Sequence, residues 1–406
     1  MINILTYRKK IVLEKKALFR YNILKCKQEM IFLSLTMNRN AFSKGWESYR
    51  IMHKNKHVAS IREDGTAEIY YPKFMPYNLW LEAETDIDSR VNNLNNFYYW
   101  CASRVLTLDR KYAKEILNAI GAKQAMTDRD RAMIAISYHA LCLTDVYWIK
   151  DSKENIRFED ISLYRHSLSN AFADISLLGR QITAQNAQLL DNRDAAGDIA
   201  TNGVAPKAWI RQDNIFYLLK NGDERDVQAE LLASKIADCF KIDHVAYMPD
   251  RFDDRNVSKS RLITNEDRSI VSAEYIDIYC ANHDMNLEKF VLQKDRYAFH
   301  MMNIIDYLTG NSDRHWGNWG FFVDNSNNSL LTLYPLMDFN KAFTSYDTIE
   351  GGKCQTISQF ISQKDAAITA VKEIGLNQTA EINKNLFDST DHYTMFKKRL
   401  EILKNA

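Results

Sequence analysis

The sequence has no long apolar run, no clustered cysteines and almost no excess of charge of either sign. Its six cysteines are scattered over 406 residues without a C-x-x-C pair or a Cys/His metal spacing, which predicts free thiols in a reducing, cytoplasmic environment. No apolar stretch approaches the roughly 20 residues that a membrane helix needs, so no transmembrane segment is expected. The formal net charge of +1 argues against electrostatic nucleic-acid binding as the main task, and no direct nucleic-acid contact is expected.

The composition along the chain predicts four regions. They are a basic N-terminal extension (1–36), an accessory, mostly helical region with a β-hairpin (37–185), a β-rich region (186–280) and a mostly helical region (281–406). The extension is expected to be a solvated tail, or to lie upstream of a natural start at Met37. With 46% apolar residues, the rest of the chain can bury one or two sizeable cores.

In the accessory region, strand-like runs on both sides of Asp64-Gly65 predict a hairpin at 57–71. Helical apolar spacing follows at 79–117 and at 127–150, with Gly121 between the two stretches. Residue types typical of catalysis are absent here, which favours a role in recognising a partner or in bracing the rest of the chain.

The most informative stretch is G-N-S-D-R-H-W-G-N-W-G-F-F at 310–322, followed by M-D-F-N at 337–340. It places Asp313 and Asn318 five residues apart, and Asp338 follows a second apolar run. Phosphoryl transfer needs this set, with one carboxylate to orient a hydroxyl and an amide plus a second carboxylate to bind Mg²⁺ on a nucleotide. The spacing matches D-x-x-x-x-N in the catalytic loop of protein kinases, and Asp338 lies where those enzymes carry D-F-G.

Two apolar runs around an Asn/Ser cluster at 324–329 predict a β-hairpin over 319–337. The residue numbers of facing residues in an antiparallel pair have a constant sum. A hairpin with its midpoint at residue 328 would therefore bring Asn318 and Asp338 about 5 Å apart, backbone to backbone. An amide and a carboxylate held in this way offer hard oxygen ligands that suit Mg²⁺.

The residues beside Asp313 allow other interpretations. A lone D-R-H is usually a solvated turn, so the prediction depends on the three-part arrangement as a whole. His315 is a further catalytic candidate, with a structural, hydrogen-bonded histidine as the alternative. A metal-dependent hydrolase that uses Asp313, His315 and Asp338 is a competing hypothesis.

The β-rich region holds a candidate phosphate site. Thr201 and Gly203 belong to a short polar loop that could present backbone N–H groups to phosphate, although it is not a G-x-G-x-x-G. Two strands then flank a two-residue turn at 213–214, which places Lys207 opposite Lys220. Like charges that face each other across a strand pair are destabilising, and a bound polyphosphate would remove that penalty.

A helix predicted at 224–240 places Glu230 on its core-facing stripe, where an unpaired carboxylate would be costly. An ion pair between Glu230 and Lys220 is therefore expected. The alternating segment 271–278 is predicted to be a strand that ends this region, where the backbone of a bilobal kinase binds adenine. The candidate adenine contacts are Glu274, Tyr275 and Ile276.

The last region begins with a long helix predicted at 287–308 and ended by Gly310, directly before the catalytic loop. The Ser/Thr-rich segment 341–363 is predicted to be a mobile place where a substrate could dock. Further helices are expected over 365–406.

Over about residues 165–345, the chain resembles the HipA-like serine/threonine kinases, which are related to protein kinases and to phosphoinositide 3/4-kinases. The resemblance is carried by T-N-G-V-A-P-K-A-W-I, Y-L-L-K, Y-L-T-G-N-S-D-R-H-W-G-N-W-G-F and P-L-M-D-F-N-K-A-F. It implies an α+β, bilobal protein-kinase-like fold with a β-rich small lobe (186–280), a helical large lobe (281–406) and the helical accessory region before them. Asn340 stands where D-F-G has glycine, as in this branch of kinases.

The resemblance also implies roles for individual residues. Asp313 would be the catalytic base, Asn318 and Asp338 the Mg²⁺ ligands, and Lys220 the phosphate-binding lysine. Thr201 and Gly203 would lie in the nucleotide loop, where toxins of this family phosphorylate their own serine; Thr201 is the nearest hydroxyl here. The N-terminal region does not match the small N-terminal barrel of HipA.

The function expected from these observations is an ATP- and Mg²⁺-dependent kinase that acts on a Ser/Thr hydroxyl of a protein. The D-R-H-x-x-N form also resembles phosphoinositide-kinase loops, so a lipid kinase is an alternative. A nucleotide-binding pseudokinase that works through its accessory region is another. A toxin-type or self-phosphorylating activity, with an antitoxin or regulatory partner, stays open at this point.

Overall fold

The structure, a computed structural model, describes residues 48–120, 127–168, 170–180, 199–201, 203–344, 346–357 and 359–406. The basic extension, Gly121 and Asn202 of the polar loop lie outside these ranges. Within them the chain is a mixed α+β structure whose strands form three sheets with antiparallel pairing, which confirms the predicted fold class at this level. None of the described helices is both long and apolar enough to cross a bilayer.

The first sheet lies in the accessory region and has the strand order β3-β2-β1-β4. Its strands are β1 (Ser48–His53), β2 (Lys56–Arg62), β3 (Ala67–Ile69) and β4 (Tyr147–Asp151), and helices α1 (Ile87–Ala102), α2 (Ala113–Ala119) and α3 (Asp128–Ser137) lie between β3 and β4. The hairpin predicted around Asp64-Gly65 is confirmed. The helical spacing predicted up to residue 150 is wrong beyond Ser137, because the buried, strand-favouring residues of β4 pair with β1 instead.

The second sheet has the order β5-β6-β8-β7 and carries the lysines predicted to bind phosphate. The elements here are α4 (Phe158–Ile161), α5 (Asn170–Leu178), β5 (Lys207–Gln212), β6 (Ile215–Lys220), α6 (Glu224–Ala237), β7 (Tyr247–Phe252) and β8 (Arg255–Arg261). Asp213 and Asn214 have φ values of 50° and 61°, which gives the tight turn that joins β5 to β6. Lys207 consequently pairs with Lys220, as predicted.

Helix α6 begins at the N-cap residue Asp223, whose side chain accepts the Asp226 N–H. Its predicted stripe of Val227, Glu230, Leu231 and Ser234 is buried. Helix α5 packs against the same sheet, where Ala173 and Leu177 contact a cluster that includes Ala208, Leu219 and Val257. The sheet is therefore covered from more than one side.

The remaining elements build the largest core. They are β9 (Arg268–Ser272), α7 (Ala273–Asn282), α8 (Leu287–Thr309), β10 (Gly320–Asp324), β11 (Ser329–Leu333), α9 (Gln363–Ile374) and α10 (Thr390–Lys404). The helix predicted at 287–308 is confirmed except for a kink at Asp295, whose φ of −152° and ψ of 73° are not helical, and it ends at Gly310 with φ 61°. A Cβ at this position would lie 2.5 Å from the Tyr346 ring, so only glycine fits the turn into the loop that carries Asp313 and Asn318.

Two local predictions are wrong. The β10–β11 pairs Val323–Leu330 and Asp324–Ser329 place the hairpin midpoint between 326 and 327. A register shift then moves it to 327 at the pair Phe321–Leu333, so Asn318 and Asp338 do not face each other in the ladder. The Asp324 side chain fixes this turn by accepting from Ser326 N and Asn327 Nδ2.

The strand predicted over 271–278 ends at Ser272. The Ser272 side chain accepts the Tyr275 N–H and starts helix α7. Glu274, Tyr275 and Ile276 therefore form the first turn of a helix, because a local serine cap outweighs the alternating pattern of the sequence.

Candidate active site

Lys220 lies at the centre of a buried ionic cluster. Its Nζ donates to Glu230 Oε1 at 2.6 Å and to Asp338 Oδ1 at 3.1 Å, which confirms the expected pair with helix α6. Glu230, only 1% exposed, also accepts the Ser258 hydroxyl from β8. Since a buried carboxylate is costly unless it is paired and hydrogen-bonded, these contacts fix the position of the lysine at the end of β6.

Asp338 is held in a backbone conformation that few non-glycine residues adopt. Its φ is 62°, in the left-handed region. Its N–H donates to the Tyr247 hydroxyl at 3.0 Å, and its carbonyl accepts from Asn311 Nδ2 at 3.3 Å. Because these contacts come from β7 and from the catalytic loop, the surrounding structure holds the carboxylate in place.

The electrostatic surroundings keep Asp338 ionised. Burial alone would raise the pKa of its carboxyl, but Lys220 and Lys207 together hold that pKa well below the usual range. Burial likewise acts to lower the pKa of Lys220, and the charges of Asp338 and Glu230 raise it well above its ordinary value. Asp338 and Lys220 are therefore both charged at neutral pH.

Arg314 organises the loop that carries Asp313 and Asn318 from inside. It is 1% exposed, and its Nε donates to Asp306 Oδ2 of helix α8 at 2.9 Å. Its Nη1 donates to the backbone oxygens of Asn318, at 3.0 Å, and of Met337. The guanidinium thus joins the segment before β10 to the segment before Asp338. These are the two ends of the hairpin that the predicted strand pairing was expected to bring together.

Asp313 and Asn318 lie on the same loop. Asn318 Nδ2 donates to the Asp313 carbonyl at 2.8 Å, so its Oδ1 is the atom of this amide suited to a cation. Burial raises the pKa of the Asp313 carboxyl, as does the Asp338 charge, while His315 and Lys341 act in the opposite direction. A carboxylate with a raised pKa, close to a second carboxylate, is a typical general base.

His315 lies at the exposed side of this loop, where its Nδ1 accepts the Gly317 N–H at 3.0 Å. Lys341, just after Asp338-Phe339-Asn340, contacts both carboxylate oxygens of Asp226 at 2.9 and 2.8 Å. This ion pair connects the first turn of helix α6 to the segment that follows Asp338.

Lys207 is buried beside the polar loop, and the structure places Thr201 and Gly203 around it. Burial lowers the pKa of Lys207 to about 8, with Lys220 and Arg110 adding to the effect and Asp338 opposing it. Gly203 has φ 101°, and a Cβ there would lie 2.6 Å from Lys207 Nζ. Thr201 is buried, and its carbonyl accepts from Arg110.

The predicted adenine contacts lie against the loop that carries Asp313 and Asn318. Glu274 N donates to Trp316 O at 3.0 Å, Tyr275 N donates to Ser272 Oγ at 3.4 Å, and Ile276 is fully buried. Both amides are thus engaged within the protein.

The cluster fits a magnesium-bound polyphosphate. Two buried lysines face each other beside Asp338, and a cavity next to Lys220 is lined by residues that include Ala205, Gly222, Asp226 and Asn340. Among the described residues, no group of three or more His, Cys, Asp or Glu side chains is arranged around one point. Mg²⁺ in phosphoryl-transfer sites usually takes one or two carboxylates and completes its shell with phosphates and water.

Sequence reasoning missed several residues of this site. They are Tyr247, Ser258, Asp306, Asn311 and Arg110. Tyr247, Ser258 and Arg110 each act through one side chain on a partner distant in sequence, such as Tyr247 on Asp338, so no local pattern points to them. Only Asn311 and Asp306 lie near enough to the motif to have been considered.

No family model and no curated protein matches the chain. Among solved structures it is similar to the Helicobacter pylori proinflammatory kinase CtkA, with 15% identity, 49% of this chain and 91% of that chain covered, and a TM-score of 0.38. It is also similar to HipA of Shewanella oneidensis MR-1, solved in a toxin–antitoxin complex with HipB and operator DNA, with 11% identity, coverage of 88% and 97%, and a TM-score of 0.47. The roles of individual residues rest on the geometry of this chain.

Proposed function

We propose that this chain is an ATP- and Mg²⁺-dependent phosphotransferase of the bilobal protein-kinase type, which transfers the γ-phosphoryl group to a Ser/Thr hydroxyl of a protein. In this proposal residues 186–280 are the small lobe, 281–406 the large lobe and 37–185 the accessory region. The observation that carries it is the junction at Lys220, whose ammonium contacts Glu230 and Asp338. One lysine that joins a helix glutamate to the aspartate after a catalytic loop is the arrangement that kinases use to place nucleotide phosphates.

Asn318 and Asp338 would hold Mg²⁺, which when bound neutralises charge on the phosphates. Lys220 and Lys207 orient the same phosphates. Asp313 accepts the proton of the acceptor hydroxyl while the hydroxyl oxygen bonds to the γ-phosphorus and ADP leaves. The raised pKa of Asp313 makes it a better proton acceptor than an exposed aspartate.

We place the adenine contact at 262–265 rather than at Glu274–Ile276. This segment connects β8 to β9, and Ile263 packs on the same core as Tyr247 and Leu336, which lie close to Asp338. The amide of Glu274 is engaged by Trp316 O, and that of Tyr275 by the side chain of the cap residue Ser272.

The test is label transfer from γ-radiolabelled ATP by the full chain, in the presence of Mg²⁺, to protein acceptors or to the chain itself. We expect Asp313→Asn and Asp338→Ala each to lower the rate by about 100-fold or more, the usual scale for one preorganised electrostatic contact. Asp388→Ala, at an exposed aspartate, is the matched control and should retain the wild-type rate. Transfer that persists unchanged in Asp338→Ala would eliminate the assignment.

The same assay separates the alternatives. Label in phosphoinositide vesicles rather than protein would reassign the acceptor to a lipid. Phosphate release without a labelled acceptor, together with tolerance of Lys220→Ala, would indicate a hydrolase. Thermal stabilisation by ATP without turnover would indicate a pseudokinase. The proposal leaves the partner of the accessory region open between an antitoxin and another regulatory protein.

A further inference from the structure

The accessory region contacts the candidate nucleotide loop through a short segment, 106–111, that follows helix α1. Two of the contacts are backbone hydrogen bonds: Leu106 N donates to Ile199 O at 2.6 Å, and Lys111 N donates to Val204 O at 3.0 Å. They lie on either side of Thr201 and Gly203. The described part of the loop is thus bound to the accessory region at both of its ends.

Arg110 adds a side-chain contact at the middle of this segment. It is 2% exposed, its Nη1 donates to Thr201 O at 3.0 Å, and its Nη2 donates to Lys207 O. A guanidinium can donate to two acceptors from one rigid plane, which suits two carbonyls on either side of a turn. The side chain therefore fixes the distance between the start of the loop and the start of β5.

These contacts determine which way the loop presents its backbone. Across a trans peptide the carbonyl and the following N–H point in opposite directions. Because the Val204 carbonyl points to Lys111, the Ala205 N–H points away from the accessory region. Ala205 lines the same cavity as Lys220, so the loop borders the place where phosphate is proposed to bind.

We infer that Arg110 is a positioning residue of the nucleotide site, and that through it the accessory region sets the affinity for the polyphosphate part of a nucleotide. This inference rests on the proposed function. It concerns the position of the loop and of the start of β5, because Arg110 binds the carbonyls of Thr201 and Lys207. The accessory region is accordingly a regulatory input, because a partner that shifts segment 106–111 shifts the loop with it.

The first test compares the affinity of the full chain for Mg²⁺-ATP and for adenosine. We expect Arg110→Gln to weaken ATP binding by about tenfold or more, which corresponds to about 1.4 kcal/mol, and to leave adenosine binding at the wild-type level. Arg110→Lys, which can reach one carbonyl, should give an intermediate ATP affinity.

The matched control is Arg104→Gln. Arg104 is also a buried arginine of the accessory region that donates to carbonyls, those of Ala140 and Tyr147, and none of its described partners belongs to the loop. This variant should lower the melting temperature while it preserves the ratio of the two affinities. An unchanged ratio in Arg110→Gln would overturn the inference, whereas a wild-type chain that binds no ATP at all would overturn the proposed function as well.

A second test uses the wild-type chain and does not depend on any variant. By reciprocity, a nucleotide that orders the loop must also order the segment bound to it. We expect Mg²⁺-ATP to slow amide hydrogen exchange at Leu106 and Lys111, and adenosine to have no such effect. Binding of ATP that leaves both exchange rates unchanged would refute the coupling.

Discussion

Replacing Tyr247 with phenylalanine removes one oxygen atom from the candidate site. The hydroxyl accepts the N–H of Asp338 at 3.0 Å. The ring would keep its contacts, which are an edge-on approach to Phe339 with centroids 6.4 Å apart and the Lys220 ammonium 5.3 Å from its centroid. The substitution thus separates one hydrogen bond from the packing around it.

The size of the effect follows from the backbone of Asp338. A buried N–H that loses its acceptor costs about 1–3 kcal/mol, and the left-handed φ of 62° is held against an intrinsic penalty of about 1–2 kcal/mol. Since Asn311 still binds the Asp338 carbonyl, we expect the lower part of this range. The free energy of unfolding should fall by about 1–2 kcal/mol.

The diagnostic result lies in the requirement for Mg²⁺. If Tyr247 holds a metal ligand in place, the Mg²⁺ concentration for the half-maximal rate should rise about 5- to 30-fold, the factor that 1–2 kcal/mol represents. Initial rates over a Mg²⁺ series measure this. Tyr297→Phe, which removes a hydroxyl bonded to Lys241 O at 2.6 Å, is the control and should leave the requirement unchanged. A Tyr247→Phe enzyme with wild-type Mg²⁺ dependence would refute the reasoning.

Three further predictions concern the charges of the site. Glu230→Gln should lower the free energy of unfolding in urea by about 3 kcal/mol because it leaves Lys220 partly uncompensated, whereas Glu373→Gln, in the exposed pair with Arg296, should cost less than about 1 kcal/mol. Activity should fall on acidification at a pH above the ordinary pKa of aspartate, because burial and then Asp338 raise the pKa of Asp313 and its ionised form is the base. In a plot of kcat/KM against pH, Lys341→Met should move this acidic fall to still higher pH. A fall that stays at the same pH would exclude Asp313 as the titrating group. Lys207, whose pKa is lowered from 10.5 to about 8, should take up a proton when Mg²⁺-ATP binds at a pH between these two values, and ATP affinity should fall as the pH rises from 8 to 10.5. Calorimetry in buffers of different ionisation enthalpy measures the proton uptake. The uptake should disappear in Lys207→Met.

Where contacts between neighbouring residues determine the structure, the sequence was sufficient to predict it. The two-residue turn at Asp213-Asn214 sets the β5–β6 register and hence the Lys207–Lys220 pair. The spacing of helix α6 buries Glu230 next to a lysine that needs a counter-charge. Each conclusion depends on residues within one hairpin or one helix, so neighbouring sequence carries the information.

Where contacts between residues distant in sequence determine the structure, the sequence was not sufficient to predict it. Strand β4 pairs with β1 about a hundred residues earlier, and an apolar pattern alone does not distinguish it from a helix. The β10–β11 register depends on side-chain bonds of Asp324 within its turn. Asn318 and Asp338 approach each other through Arg314 rather than through the strand ladder.

The inward orientation of Arg314 has an evolutionary consequence. Its neighbour Asp313 can lose its charge without loss of the fold, whereas no other side chain supplies a planar fork for the Asp306 carboxylate and the two carbonyls that it binds. A descendant of this chain that abandoned catalysis should therefore discard the aspartate and retain the arginine. Relatives with that signature would be expected to bind nucleotide without consuming it, which nucleotide titration of such a relative would establish or disprove.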